Sequence, residues 1–185
     1  MRIISGSLKG KLIKYVKNSK TRPLKDSVRE NIFNILKHST LIKTKIENSK
    51  ILDLYSGIGS FGIESLSRNA ESVTFVERDK LALGILKDNL IALSIIDKTK
   101  IYNGKIEIIL KNLNQKFDIF FFDPPFNDLT FLQNIKLIKK QKIFKINHIV
   151  IIHRKKGVED SFENLIKIIK TKTYGKSKVI FGVFE

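Results

Sequence analysis

Apolar and polar positions alternate along this chain in a way that predicts strand and helix in turn. The densest apolar run, Ile119-Phe120-Phe121-Phe122, lies inside KFDIFFFDPPF, residues 116–126, and is predicted as a strand buried on both faces. Asp123-Pro124-Pro125-Phe126 ends it, because two consecutive prolines donate nothing to a sheet ladder and hold the backbone extended. Upstream, Arg2 to Tyr15 alternates around Gly6 and Gly10, the pattern of a short hairpin. Thr21-Arg22-Pro23 breaks the chain before a helix with Val28, Ile32, Ile35 and Leu36 on one face and with Ser27 and Glu30 at capping-box spacing. Residues 39–49 are polar and read as loop.

From there the alternation is regular. Lys50 to Tyr55 is a first strand, running into Ser56-Gly57-Ile58-Gly59-Ser60-Phe61-Gly62 and a helix that carries Ile63 and Leu66. Ser72 to Val76 is a second strand ending at Glu77, followed by a helix from Asp79 to Leu93 with Asp79 as its N-cap. Lys100 to Asn103 is a third strand, before Gly104 and a short helix with Ile106, Ile109 and Leu110. The apolar run is the fourth strand, Thr130 to Lys140 a helix, Asn147 to Ile152 a fifth strand, and the last residues form two strands around Tyr174-Gly175. Such alternation predicts an α/β fold, a doubly wound and mostly parallel sheet, with the terminal hairpin adding an antiparallel strand. At 185 residues one domain is expected, its core at 50–185 and residues 1–40 an N-terminal extension.

Charge narrows the partners. Lys and Arg number 35 against 18 Asp and Glu, a net charge of +17, which favours polyanions, nucleic acid first among them. Arg2, Arg22 and Arg29 stand out among basic residues that are mostly lysine, and a guanidinium fork suits phosphate. The absence of cysteine excludes disulfides, thiolate nucleophiles and zinc ribbons. His38, His148 and His153 are too scattered for a metal site, so no metal is expected. The first residues lack the apolar core of a signal peptide, and no apolar run reaches the ~18 residues of a membrane span. A cytoplasmic monomer is the expectation.

Two stretches carry candidate chemistry. Gly57, Gly59 and Gly62 match G-x-G-x-x-G, with Glu77 placed to accept ribose hydroxyls, so a dinucleotide fold competes. Asp53, inside the strand before the loop, argues against a pyrophosphate and for a cationic ligand such as S-adenosylmethionine. The second stretch is Asp123 to Phe126: a carboxylate, free carbonyls and an aromatic ring at a strand's carboxyl end suit a planar amine, accepting its N–H protons and stacking on its π system. A nucleobase amine fits that description, and hydride transfer has no evident use for it.

Taken jointly, LDLYSGIGSFGIE, FVERD and FFFDPPF resemble class I S-adenosylmethionine-dependent methyltransferases acting on exocyclic amines. With RIISGSLKGKL, TRP, DSVRENIFNIL, LSRNA and the late TYGKS, nearly the whole chain resembles the bacterial small-subunit (16S) ribosomal RNA guanine-N2 methyltransferase family. The resemblance implies a seven-stranded Rossmann-like sheet with an N-terminal extension near the site. It implies that Asp53 and the loop from Gly57 to Gly59 hold the methionine end of the cofactor, that Glu77 takes its ribose, and that Tyr55, Ser56, Arg78 and Gly104 also belong to the cofactor site. Asp123, Pro124, Pro125 and Phe126 would take the target guanine, and ribosomal RNA, alone or in the small subunit, would be the partner. Lys105 stands where similar sequences carry Asp, and His153 where an acidic residue is common. The nearest rival is a DNA adenine-N6 methyltransferase, but no segment is free for a separate sequence-reading region. A protein glutamine methyltransferase gives the positive charge no purpose, and a non-catalytic RNA-binding protein leaves the acids at three strand ends unexplained.

If the charge serves RNA binding, affinity must fall steeply with salt. The expected slope of log affinity against log salt is about −0.7 per phosphate neutralised on single strands. Filter binding to ribosomal RNA across a salt series measures it, and a flat profile would reduce the net charge to composition.

Overall fold

The computed structural model describes residues 1–15 and 24–185. Arg22, with the Thr21-Arg22-Pro23 break, lies outside the described residues. The elements run α1 (Asp26–His38), β1 (Lys50–Leu54), α2 (Ser60–Ser67), β2 (Ser72–Glu77), α3 (Lys80–Ala92), β3 (Thr99–Asn103), α4 (Ile106–Lys111), β4 (Phe117–Phe122), α5 (Phe131–Gln141), β5 (Phe144–Lys155), β6 (Ile166–Tyr174) and β7 (Ser177–Phe184). One seven-stranded sheet has the order β3-β2-β1-β4-β5-β7-β6. The first five strands are parallel, and β7 enters antiparallel between β5 and β6. This is the mostly parallel α/β sheet with a terminal hairpin that the alternation predicts.

The pleat explains the two cores. Ile119 and Phe121 of β4 share one buried layer with Ile51, Phe61 and Leu86, under α1, α2 and α3. Phe120 and Phe122 point the other way, into a layer with Ile106, Phe131 and Ile135 of α4 and α5. Alternate residues of one strand thus bury against opposite helical layers, as period-2 geometry requires.

Residues 1–15 bend back at a single antiparallel bridge between Arg2 and Leu12 and dock on the helical layer. The buried Glu64 of α2 accepts from Ile4 N (2.8 Å) and Ser5 N (3.0 Å), and Asn89 of α3 exchanges bonds with Lys14. Helix α1 departs from the predicted capping box. It starts at Asp26 after Lys25, with no side-chain cap, leaving Ser27 within the helix. Asp26 instead occupies the first turn, where the dipole favours an anion, and pairs with Arg29 at 3.1 Å.

Arg29 is the larger correction. Its side chain is fully buried, donates to the Arg2 carbonyl at 2.6 Å and lies 3.6 Å from Glu64. A guanidinium enclosed in this way is not presented to a phosphate. Its position follows from helical spacing: Arg29, Ile32, Phe33 and Leu36 lie at i, i+3, i+4 and i+7 and are all buried. No helix among the described residues is long and apolar enough to cross a membrane.

The glycine loop is shaped by packing as well as by turn geometry. Gly59 precedes α2 in the left-handed region at φ 80°. At Gly62 a Cβ would lie 2.3 Å from Cε1 and 2.6 Å from Cζ of Phe75, a fully buried ring on β2, so this residue sets how closely the helix meets the sheet. Gly62→Ala is therefore expected to overpack the layer and cost about 1–3 kcal/mol, read as a lowered urea midpoint with an unchanged slope.

Candidate active site

The sheet reverses direction at β1. From there the chain winds outward through β2 and β3, then returns to place β4 on the other flank of β1. Neighbouring crossovers leave in opposite directions at such a switch point and open a crevice at the strands' carboxyl ends. A cavity of about 760 Å³ occupies this position, inside the ~300–1,000 Å³ range of ligand pockets. Its wall takes Tyr55, Ser56 and Gly57 after β1, Glu77 and Arg78 at β2, Gly104 after β3, and Asp123 to Phe126 after β4. Residues predicted separately at four strand ends therefore meet in one space.

Backbone geometry builds the loop side. Tyr55 is held at φ 59° and Gly57 at φ 54°, and the position a Cβ would take at Gly57 is open for 4 Å, leaving its backbone bare to the cavity. Glu77 is already engaged: Oε2 accepts from Gly57 N at 2.7 Å, and Oε1 from Arg78 N and Asp79 N at 2.8 Å each. Three of its roughly four lone-pair sites are filled, so it pins the loop to β2 and keeps one acceptor site. Burial pushes the Tyr55 hydroxyl up to about 12. That hydroxyl accepts from Asn134 Nδ2 at 3.0 Å and ties the loop to α5.

Asp53 is not part of the wall. It is 1% exposed, lies behind the loop, and accepts from Gly62 N at 3.0 Å through Oδ2. Burial, reinforced by Asp123 and Glu77, raises its carboxyl well above the ordinary range and so disfavours the charge that the sequence argument relies on. The preference for a cation has another source. Among the described residues Glu77, Asp79, Glu107, Asp123 and Asp128 line the cavity against Arg78 and Lys105, five carboxyl groups against two cationic side chains. Lys105 is followed by Glu107 on the same wall.

The corner after β4 is held by two consecutive residues of β5. His153 Nδ1 lies 2.8 Å from Asp123 Oδ1, and the His153 ring meets Phe126 edge-on at 5.7 Å. Arg154, fully buried, donates to the Pro125 carbonyl at 3.2 Å while its other nitrogens grip Asp160 at 2.9 and 3.0 Å. Its guanidinium also covers the Phe131 ring at 4.5 Å. Sequence alone leaves the role of His153 open and does not single out Arg154. Strand register carries the signal, because Phe122 pairs with Ile152 and the residues just beyond must be neighbours. Of the three arginines predicted to meet RNA, Arg2 is exposed, Arg29 is internal, and neither lines the cavity.

The donor set fits S-adenosylmethionine. Asp53 Oδ1, Ser56 Oγ and His153 Nε2 are buried without a hydrogen-bond partner among the described residues; Ser56 and His153 line the cavity and Asp53 lies behind its loop. A ligand with an ammonium, a carboxylate and hydroxyls can satisfy such atoms, and the acidic wall suits its sulfonium.

Comparison with known proteins agrees with this geometry. A family model described as Conserved hypothetical protein 95 matches residues 1–183. The Ribosomal RNA small subunit methyltransferase D of Haemophilus influenzae is 32% identical over 178 residues, covering 95% of this chain and 89% of its own length. That of Buchnera aphidicola subsp. Baizongia pistaciae is 37% identical over 154 residues, with 83% and 76% covered. The solved structure of yhhF from Escherichia coli has a TM-score of 0.84 at 26% identity, over 100% of this chain and 98% of that one.

The buried Asp53 makes a testable claim about pH. Its folded pKa is raised above the ordinary value near 3.8, so its contribution to stability is complete below that value and is lost as pH climbs toward the folded pKa. Asp53→Asn keeps an acceptor for Gly62 N and removes the ionisation. The stability difference should shift in favour of the variant as pH rises above the ordinary carboxylate value near 3.8, as followed by urea unfolding; a constant difference would contradict the raised pKa.

Proposed function

The chain belongs to the Conserved hypothetical protein 95 family, whose named relatives make it an S-adenosylmethionine-dependent rRNA methyltransferase, and we propose that it methylates the exocyclic N2 amine of a guanine in 16S ribosomal RNA. The observation that carries this reading is the Asp123-Pro124-Pro125-Phe126 corner, which presents acceptors and a ring to the cavity at the sheet's switch point.

When bound, S-adenosylmethionine supplies an electrophilic methyl group on a sulfonium. Tyr55, Ser56 and Gly57 would hold its methionine end, Glu77 and Arg78 its ribose, and Gly104 the adenine side. Gly59 and Asp53 shape the loop from behind. Phe126 would stack on a guanine turned out of its helix.

The amine must also be made nucleophilic, since guanine N2 delocalises its lone pair into the ring. Asp123 Oδ1 is taken by His153, leaving Oδ2 to accept one N2–H. The Pro125 carbonyl is taken by Arg154 and by Asp128 N, leaving the Pro124 carbonyl for the other. Two such acceptors favour rehybridisation and aim the lone pair at the methyl carbon, and the carboxylate stabilises positive charge developing on nitrogen. Transfer is direct, with no covalent enzyme intermediate, and the methylated N2 gives up one of its two protons to return to a neutral amine. The substrate is ribosomal RNA, alone or within the small subunit, and the chain acts as a cytoplasmic monomer without a metal.

Radiolabelled methyl transfer to naked 16S RNA, small subunits and DNA, with mapping of the modified base, tests the substrate; a product of N6-methyladenine in DNA would overturn it. Asp123→Ala should slow single-turnover transfer roughly 10²- to 10⁴-fold with cofactor affinity preserved. Glu77→Ala should instead weaken cofactor binding in calorimetry and slow the reaction mainly at subsaturating cofactor. A near-wild-type rate for Asp123→Ala would reduce the corner to a structural turn.

A further inference from the structure

Asp123 can serve an incoming amine only if its second oxygen is held in one direction. A carboxylate on a two-torsion side chain at a strand end has rotamers to choose from, and the prolines after it fix the backbone without fixing this side chain. Within the described residues the holding group is His153. Asp123 and His153 each follow the last paired residues of adjacent parallel strands, Phe122 and Ile152, which sets them side by side.

Their side chains are largely enclosed, 12% exposed for His153 and 22% for Asp123, so the 2.8 Å contact is shielded from competing water. The Nδ1 atom meets a carboxyl oxygen, and against a carboxylate it is the donor. That bond fixes the tautomer and leaves the buried Nε2 without a partner among the described residues. The same ring packs edge-on against Phe126, so one imidazole contacts both side chains of the corner that would touch a base.

We propose that His153 is a positioning residue of the methyl transfer: by donating Nδ1–H to Asp123 Oδ1 and buttressing Phe126, it holds Oδ2 and the stacking ring in register for the target amine. This inference rests on the functional reading above. Unlike its neighbour Arg154, which is locked into a fully buried ion pair, His153 keeps its side chain partly exposed, and its truncation should leave the fold standing. Its backbone is held in the sheet between β4 and β7, where it pairs with Val179, and truncating its side chain leaves that ladder intact.

Two arms test it. In nitrogen-15 spectra of the wild-type chain, His153 should be in the Nδ1–H tautomer and should lose that preference in Asp123→Ala; a wild-type ring in the Nε2–H tautomer overturns the proposal whatever the substrate. In single-turnover transfer at saturating cofactor, His153→Ala should be slower by roughly 10- to 10²-fold with its thermal midpoint and cofactor affinity retained. His153→Asn, whose amide N–H can take the place of Nδ1–H, should recover most of the rate. An Ala variant near the wild-type rate, or an Asn variant no faster than Ala, overturns it as well. A wild-type chain that methylated no ribosomal RNA would instead count against the substrate assignment, and the tautomer measurement would still decide the role of His153.

Discussion

Two prolines at the end of a central strand create the constraint on which the candidate site depends. Pro124 and Pro125 have no N–H to donate, so the sheet's ladder ends with the Asp123 N–H on the Leu54 carbonyl and cannot hold the prolines beyond it. The corner must be fixed from outside. Consecutive residues of β5 do this, His153 through the Asp123 carboxyl and Arg154 through the Pro125 carbonyl. Side chains alternate along a strand, so the two reach the corner from different sides, and the second is itself immobilised by Asp160 and Phe131. A rigid extended segment between two anchors keeps acceptors aimed at a ligand without reorganisation during the reaction.

The N-terminal extension is tied to this arrangement through aromatic packing. Phe33 of α1 stacks on Phe61 of α2 at 5.1 Å, and Phe61 on Phe121 of β4 at 4.0 Å. Glu64, one turn beyond Phe61 on α2, collects two backbone N–H groups of the extension and the guanidinium groups of Arg29 and Arg68. A buried carboxylate is costly unless it is saturated in this way. It therefore demands that residues 1–15 and α1 be docked, and their docking brings Tyr15 and Leu24 to the cavity wall.

Legible in the sequence is whatever depends on local period and on proline or glycine chemistry. The both-face burial of β4, the loop between β1 and α2, the Asp79 cap and the closing hairpin are all set by a few adjacent residues. Register between distant segments is not legible in the same way. Asp123 and His153 are thirty positions apart and meet only because β4 and β5 pair as they do. At Arg29 the inference from charge to exposure fails, because the residue shares a helical stripe with Ile32, Phe33 and Leu36. Asp53 does precede the loop, but its physics differs from the expectation: a carboxyl enclosed by β2, β4 and α2 loses its charge more readily than it attracts a cation.

Charge is partitioned in this molecule, and the partition has a consequence for recognition. The chain as a whole carries +17, while the described residues of its cavity wall are mainly acidic among the charged ones. A polyanion attracted to the outer surface therefore meets opposing charge at the mouth of the cavity, and its phosphates have reason to stay outside. A neutral base can enter, provided it leaves its stack. The acids that exclude phosphate also favour a cationic cofactor, so one arrangement of carboxylates would select for both reactants. Each of Glu77, Asp79, Asp123 and Asp128 is held by backbone N–H groups or by a neighbouring side chain, which allows several to share a small volume. Opposite signs inside and outside would thus sort a nucleic acid into a backbone that stays on the surface and a base that is drawn in.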